Sequence, residues 1–458
     1  MPMLLSPFSI ANVRLFILFR VFFNSRFYYP VFTILFLDYG LSIEQFSLLN
    51  TVWAITIFFV EVPSGALADS LGRKQLLVAS SLLMVAEMLV IGFVPLGNSN
   101  LIFWAFFINR ILSGLAEAMA SGADEAIAFD SLVTHGHPDD WSRVLSVQMR
   151  LRSLATIVSM AIGALIYDPA MVNRLLAWMG SSLQVNQQIT MRYPIYLTLL
   201  LGFGACLVSL QMKETKPAHL KRTPGTLFHT LKATTRLTIE AAGWILATPF
   251  ALAVILLGMS YDHILRMVVT LTSQYFRLIN LPEASFGLIG AALSVIGVIS
   301  PRIAEKMVVV FSPAQNVLWL TGLTFLALLG LTGFFPYVGL LPVALTFFLM
   351  MLVSFFTSHY LNRITLSHQR ATVLSFKGMA FNLAYGLIGM LFALLVQRLR
   401  TQGTAAVRIP ESPGLNLADQ AFEGAICWLP GYSLIILGLV ILFCLYRLRG
   451  SAQSRQKG

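Results

Sequence analysis

Residues 110–132 read RILSGLAEAMASGADEAIAFDSL, and they carry Arg110, Glu117, Asp124, Glu125 and Asp130. On a helix, positions i, i+3, i+4 and i+7 share a face. Arg110, Gly114, Glu117, Ser121 and Asp124 or Glu125 follow that series, so the charges form a stripe rather than a scatter. Burial and a neighbouring arginine pull the protonation of a carboxyl in opposite directions. A group held between them can take up and release a proton, which is the chemistry expected of Glu117. The plainer alternative is structural: acids paired with arginines hold helices together. Asp130, at the end of the stretch, fits that role, and for Asp124 and Glu125 both readings stand.

Other ionisable groups stand in apolar surroundings. Arg20, Asn24 and Phe27/Tyr28 share a face, and Arg20 could bind an anion or pair with Glu61; pairing is the expectation. Asp262 and Arg266 are i and i+4, which predicts a salt bridge within one helix. His263 beside them could titrate near neutral pH, though a hydrogen-bonded ring is expected. His359, Arg363 and Lys377 read as gate or anchor residues. A hairpin of the segments flanking 132–142 would set Asp130 opposite Arg143. It would also bring Arg150, and at its limit Arg152, to Asp124 and Glu125.

The segments that must position these groups are built for lipid. The chain has 458 residues, 57% hydrophobic and only 11% charged, and its mean hydropathy is +0.78. A spanning helix needs roughly 20 mostly apolar residues, and LLVASSLLMVAEMLVIGFVPL (76–96) has that length. Breaks at glycine, proline and charge clusters predict about twelve spans. They lie near 15–37, 45–66, 75–96, 100–131, 143–167 and 191–212, then 245–273, 284–307, 312–335, 338–366, 371–396 and 429–448. The fold class is an all-α membrane protein, in which a charge facing lipid costs about 2.5–3.5 kcal/mol. The charged stripe should therefore face a cavity or another helix.

The net charge of +11 is read as loop charge, not as a nucleic-acid surface. Arg73, Lys74, Arg143, Lys213, Lys216, Lys221, Arg222, Lys232, Arg236, Arg302, Lys306, Arg370, Arg447, Arg449, Arg455 and Lys457 fall on one side. Arg174, Arg192 and Arg277, with Arg398, Arg400 and Arg408 in a long loop at 397–428, fall on the other. Basic loops stay in the cytoplasm, which predicts cytoplasmic termini. The stretch 212–244 divides the chain into an N-terminal bundle (1–211) and a C-terminal bundle (245–458). It reads as a solvated linker or, over 226–242, as an amphipathic helix at the membrane surface. RVLSVQMRLRSLATIVSMAIGALI (143–166) and TVLSFKGMAFNLAYGLIGMLFALL (372–395) open the fifth span of each half on the same Val-Leu-Ser.

Enzyme signatures are missing. There is no phosphate-binding loop with a lysine, no His-Glu-x-x-His and no Cys-x-x-Cys. Cys206, Cys427 and Cys444 suggest no disulfide framework. No cofactor and no metal are expected, and no cleavable signal peptide stands out.

After the second span comes GALADSLGRK, Gly65 to Lys74. It resembles the loop signature of the major facilitator superfamily, Gly-x-Leu-Ala-Asp-x-x-Gly-Arg-Lys, with Gly65, Asp69, Gly72, Arg73 and Lys74 in register. Ser70 departs from it, since a basic residue is common there. Arg110-Ile-Leu-Ser-Gly114 resembles the fourth-helix signature of the same family, whose arginine is linked to proton coupling. SGADEAIAFDSL (121–132) and LNRITLSHQRATVLS (361–375) are similar to one bacterial branch of poorly assigned transporters. The fifth helix keeps only Gly163 of the antiporter pattern, and SPRIAEKM (300–307) keeps scattered charges of the second-half loop.

The resemblance implies two six-helix bundles around a central cavity lined by the first, fourth, seventh and tenth helices, rocking to alternate access. It implies a monomeric secondary transporter of a small organic solute in a bacterial inner membrane, coupled to protons. The substrate or proton pathway would use Arg20, Arg110, Glu117, Asp124, Glu125, Arg150, Asp262, His263 and Arg266. A passive facilitator or lipid flippase of the same fold is the nearer alternative. A multi-pass membrane enzyme or a receptor is the more distant one.

Overall fold

The computed structural model describes residues 6–214, 227–365, 370–402 and 416–456. Lys216, Lys221, Arg222, Arg408 and Lys457 lie outside them. The apolar runs become helices because lipid offers backbone groups no partner, and a helix satisfies them within its own segment. The first half comprises α1 (Ala11–Asn24), α2 (Phe32–Asp38), α3 (Ile43–Leu71), α4 (Arg73–Phe93), α5 (Ser99–Ala120), α6 (Ala123–His135) and α7 (Trp141–Tyr167). The short α8 (Pro169–Trp178) and α9 (Gln187–Thr190) precede α10 (Tyr193–Gln211). A connecting helix, α11 (Leu227–Ala247), leads to the second half. There follow α12 (Pro249–Thr270), α13 (Thr272–Leu278), α14 (Phe286–Val310), α15 (Pro313–Leu331), α16 (Leu340–Ile364), α17 (Arg370–Gln402) and α18 (Leu417–Gln456).

Among the described residues, eleven helical stretches are long and apolar enough to cross a membrane. The twelfth crossing is the first one, which is split into α1 and α2. Pro30 lies in the gap and lacks the N–H that a continuous helix would need. The freed Phe27 N–H donates instead to Thr198 Oγ1 at 3.1 Å. The seventh crossing divides in the same way, with Leu271 between α12 and α13. The two breaks meet: Thr33 N donates to Ser273 Oγ at 2.9 Å, and Thr33 Oγ1 donates to the Thr270 carbonyl at 2.6 Å.

The last span begins earlier than its hydropathy suggests, at Leu417, and runs through Pro430. Its added turns are amphipathic. Phe422, Ala425 and Ile426 enter the core, while Asp419 accepts a 2.9 Å bond from Gln274 Nε2. That polar face hid the segment in a loop expected at 397–428.

Twelve crossings put both termini on one face. The largest apolar core lies toward the opposite, far face and mixes the halves, with Phe36, Phe46 and Phe106 in one cluster with Phe276, Phe286 and Phe422. Nearer the termini each half has its own core. Phe19, Phe23, Met84 and Val208 cluster in the first half, and Ile255, Leu361 and Val373 in the second. Val144 and Val373, the valines of the repeated Val-Leu-Ser, are both buried, Val144 beside Phe16 and Ile17 and Val373 beside Leu252 and Ile255.

The halves touch along two seams. Along α3 and α17, Glu44 pairs with Arg400 at 3.2 Å toward the far face, and Thr51 Oγ1 donates to the Gly386 carbonyl at 2.9 Å. On the other side α7 meets α14, and within its own half it packs against the α1–α2 break. A Cβ on Gly163 would stand 1.7 Å from the Phe27 carbonyl oxygen, so only glycine allows this approach. Nearer the termini the second seam opens. Met149 through Leu154 are all exposed, and six consecutive residues cover every face of a helix.

Candidate functional site

Between the halves, on the termini side, lies a polar cavity of about 490 Å³. Its wall includes Arg20 and Asn24 of α1, Trp53 and Glu61 of α3, Glu117 of α5, Asp124 and Glu125 of α6, and Asn382 of α17. The expected stripe is not continuous, because the fourth span turns at Gly122, where φ is +75°. Glycine adopts that conformation without penalty. Gly114 faces α3, where a Cβ would meet Thr56 at 2.8 Å. Glu117, Ser121, Asp124 and Glu125 line the cavity.

Asp124 is 1% exposed and is held by Arg20. Arg20 Nε lies 2.5 Å from Asp124 Oδ2, and its Nη2 donates to Asp124 Oδ1 at 3.1 Å and Glu125 Oε1 at 2.9 Å. Two expected pairings are thereby corrected. Arg20 pairs with these acids and not with Glu61. Arg150 is exposed and forms no ion pair with Asp124 or Glu125. The physical reason is the Gly122 turn, which re-aims α6 and presents its first-turn acids to α1 rather than to α7.

Asp130 is likewise not matched with Arg143. It pairs with Arg73 of the 65–74 motif, while the Arg143 guanidinium lies 5.6 Å from the Phe8 ring centroid. Gly72 turns the chain between α3 and α4 at φ +112°. Beyond it the Arg73 and Lys74 amides donate to the Glu214 carboxylate at 3.3 and 2.9 Å. A carboxylate suits the positive end of a helix. Gly65 and Asp69 lie within α3, and the Asp69 side chain is outside those described.

Arg110 does not serve Glu117. Its guanidinium donates to Asn109 Oδ1 at 2.7 and 3.0 Å and stands 5.4 Å from the Phe32 and Phe36 ring centroids. Asn109 in turn donates to the Glu87 carbonyl at 2.9 Å. The Glu87 carboxylate pairs with Arg26 in the α1–α2 break, both fully buried. Sequence reasoning passed over Glu87, whose lone charge inside 76–96 was the signal.

In the second half Arg266 binds Asp262 at 2.5 Å and reaches the cavity wall through Asn382 Oδ1 at 3.0 Å. His263 is hydrogen-bonded at both ring nitrogens, to the Met259 carbonyl at 2.9 Å and the Tyr432 hydroxyl at 3.0 Å.

The far side of the cavity is closed by charge. Arg277 donates to both oxygens of Asp38 at 2.8 Å each and to Glu283 at 2.9 Å, and the Tyr167 hydroxyl donates to Asp38. Asp38 and Tyr167 belong to the first half, Arg277 and Glu283 to the second. Among the described residues no group of His, Cys, Asp and Glu could hold a metal ion.

Paired helical halves around a charged cavity that is closed on one side define a polytopic membrane protein of the transporter class. The chain belongs to the Major Facilitator Superfamily, whose family model matches residues 15–393. Solved structures agree in fold. A point mutant of the nucleoside transporter NupG superposes with TM-score 0.69 at 11% identity, over 95% of this chain and 99% of that one. A bacterial homologue of the human lysosomal transporter Spinster, inward-facing and unoccupied, gives 0.66 at 14%, over 97% of each chain. A D-xylose-proton symporter gives 0.64 at 13%, over 92% and 97%. A comparison with curated protein sequences found no match.

Proposed function

We propose that this protein is a monomeric, proton-coupled secondary transporter of a small amine-bearing solute in a bacterial inner membrane. Its bundles would be residues 1–211 and 245–458, joined through 212–244, with both termini cytoplasmic. The basic loops on the termini face support that orientation.

The charge balance of the cavity supports the solute class. Its wall carries the four carboxylates of Glu61, Glu117, Asp124 and Glu125 against Arg20, with Lys377 close to Glu61 as a second cation. Such a site attracts cations and repels anions. Asp124 and Glu125 are already held by Arg20.

The observation that carries the coupling is Glu117. It is exposed to the cavity and, among the described residues, has no ion-pair partner. Its carboxylate is free to exchange a proton or meet an ammonium group. With the far side closed, the arrangement corresponds to an inward-facing state of an alternating-access cycle.

A thermal-shift screen of organic amines and other metabolites would first supply a solute. Uptake or exchange is then measured in proteoliposomes with and without a pH gradient. Wild-type protein should concentrate the solute only with the gradient, and Glu117→Gln should exchange it without responding to the gradient. Gradient dependence that survives in Glu117→Gln removes Glu117 from coupling. Wild-type movement that only equilibrates the solute makes the protein a passive facilitator.

A further inference from the structure

The polar cavity is not charged throughout its depth. Helices α3 and α5 both run toward the termini face. They touch at Gly114, where a Cβ would stand 2.8 Å from Thr56 and 3.1 Å from the Trp53 carbonyl oxygen. Trp53 and Gly114 therefore share a level. Glu117, three residues past Gly114, is about 4.5 Å nearer the termini at 1.5 Å per residue. Glu61, eight residues past Trp53, is about 12 Å nearer on the same count. Asp124, Glu125 and their partner Arg20 also lie on the termini side of Glu117, past the Gly122 turn. Glu117 is thus the deepest ionisable group in the wall.

The floor below it is uncharged. It is made by Trp53, with Phe23 and Asn24 where α1 ends. Trp53 is partly exposed. Its ring meets the ring of Tyr385 on α17 edge-on, with centroids 6.5 Å apart. Tyr385 is buried, and its hydroxyl is bonded to the Thr270 hydroxyl at 2.9 Å. The second half thereby braces an indole that belongs to the first.

This layering narrows the solute, and the inference rests on the amine reading of the cavity given above. A charged group pushed below Glu117 would lose water and meet no opposite charge. A flat apolar group would leave water for an aromatic surface, which is favourable both by area and by ring geometry. We propose that the solute is a monoamine with an aromatic group at its other end, the ammonium meeting Glu117 and the ring resting on Trp53. A linker of about two methylenes suits a drop of about 4.5 Å between the two levels.

The test uses three probes: phenethylamine, ethylamine, which keeps the ammonium without the ring, and 3-phenylpropionate, which keeps the ring with an anionic head. Binding to the purified full-length protein is read by displacement of radiolabelled phenethylamine. Wild-type protein should bind phenethylamine saturably, about tenfold or more tighter than ethylamine, and should not bind 3-phenylpropionate. Trp53→Leu should weaken phenethylamine about threefold to tenfold and leave ethylamine unchanged, and Trp53→Phe should restore most of the loss. Glu117→Gln should weaken both amines. Equal wild-type affinity for the two amines, or phenethylamine binding that Trp53→Leu leaves intact, would overturn the aromatic assignment while the amine reading stands. If neither amine binds, or both bind Glu117→Gln as they bind wild type, the amine reading fails and this inference with it. Should Trp53→Leu not fold, a wild-type preference for phenethylamine over 2-cyclohexylethylamine, whose ring is not flat, reads the same contact, and equal affinity for that pair overturns it.

Discussion

Arg20 reaches from the first span to Asp124 on the fourth, with Nε 2.5 Å from Oδ2. The same guanidinium binds Glu125 at 2.9 Å. Asp124 is buried, whereas Glu125 faces the cavity. One cation thus neutralises the buried acid and leaves a second carboxylate presented to the cavity. The pair also ties α1 to α6 on the side where the halves have separate cores.

Removing Arg20 should therefore do more than remove a cavity charge. Breaking one partner of a buried pair costs about 3–5 kcal/mol, because the remaining charge is uncompensated. Arg20→Ala should lower the melting temperature sharply in detergent, and Arg20→Ala combined with Asp124→Asn should regain part of it. Arg150→Ala, at an exposed site, should stay within about 0.5 kcal/mol of wild type. Equal losses in Arg20→Ala and Arg150→Ala would contradict this pairing.

The far-face cluster leads to a conformational expectation. Asp38 and Arg277 join the halves through two parallel 2.8 Å bonds, a geometry stronger than a single neutral hydrogen bond. Asp38→Asn should weaken the closed far face and favour opening there. In a background lacking Cys206, Cys427 and Cys444, a reporter such as Thr33→Cys at the helix breaks should react faster with a water-soluble maleimide. Unchanged labelling would show that the shared apolar core alone keeps this face shut.

Much of this arrangement was legible in the sequence because lipid permits few alternatives. Nearly every apolar run became a crossing, and the i,i+4 spacing of Asp262 and Arg266 gave their salt bridge directly. Partners across helices were not legible. A helix advances about 100° per residue, so the turn at Gly122 was enough to move Asp124 from Arg150 to Arg20. Glu87 was a single charge in an apolar run, and Arg26, its partner, lies in a non-helical break where no periodicity fixes direction. The cavity acids could be seen in the sequence, but the side chains that hold them required the packing of α1 against α6.

The termini-face motif should act through two contacts. Arg73 pairs with Asp130 of α6, and the first amides of α4 are met by Glu214 beyond α10. Arg73→Ala should reduce transport rate more than stability if this contact forms and breaks as the halves rock. Glu214→Ala, at an exposed helix end, should cost roughly 0.3–1 kcal/mol, the usual worth of a charge at that position. Rates measured in proteoliposomes alongside melting temperatures separate the two effects. Arg73→Ala losing stability and rate in proportion would mark the pair as a static brace.

The close approach at Gly163 gives the sharpest steric test. A Cβ there would stand 1.7 Å from the Phe27 carbonyl oxygen, and that oxygen belongs to backbone that cannot rotate away. Gly163→Ala must therefore push α7 off the α1–α2 break. Tyr167, one turn further along α7, would withdraw with it and lose its bond to Asp38. The substitution should destabilise the closed far face, lowering the melting temperature and raising labelling of Thr33→Cys together. Gly297, on α14, provides the control: a Cβ there meets nothing within 4 Å. In a helix interior alanine is favoured over glycine by about 1 kcal/mol, so Gly297→Ala should be neutral or slightly stabilising with unchanged labelling. If Gly163→Ala behaves like Gly297→Ala, then α7 and the break do not touch in the membrane, and the far face is held without Tyr167, by the Arg277–Asp38 pair, the shared apolar core and the α3–α17 seam.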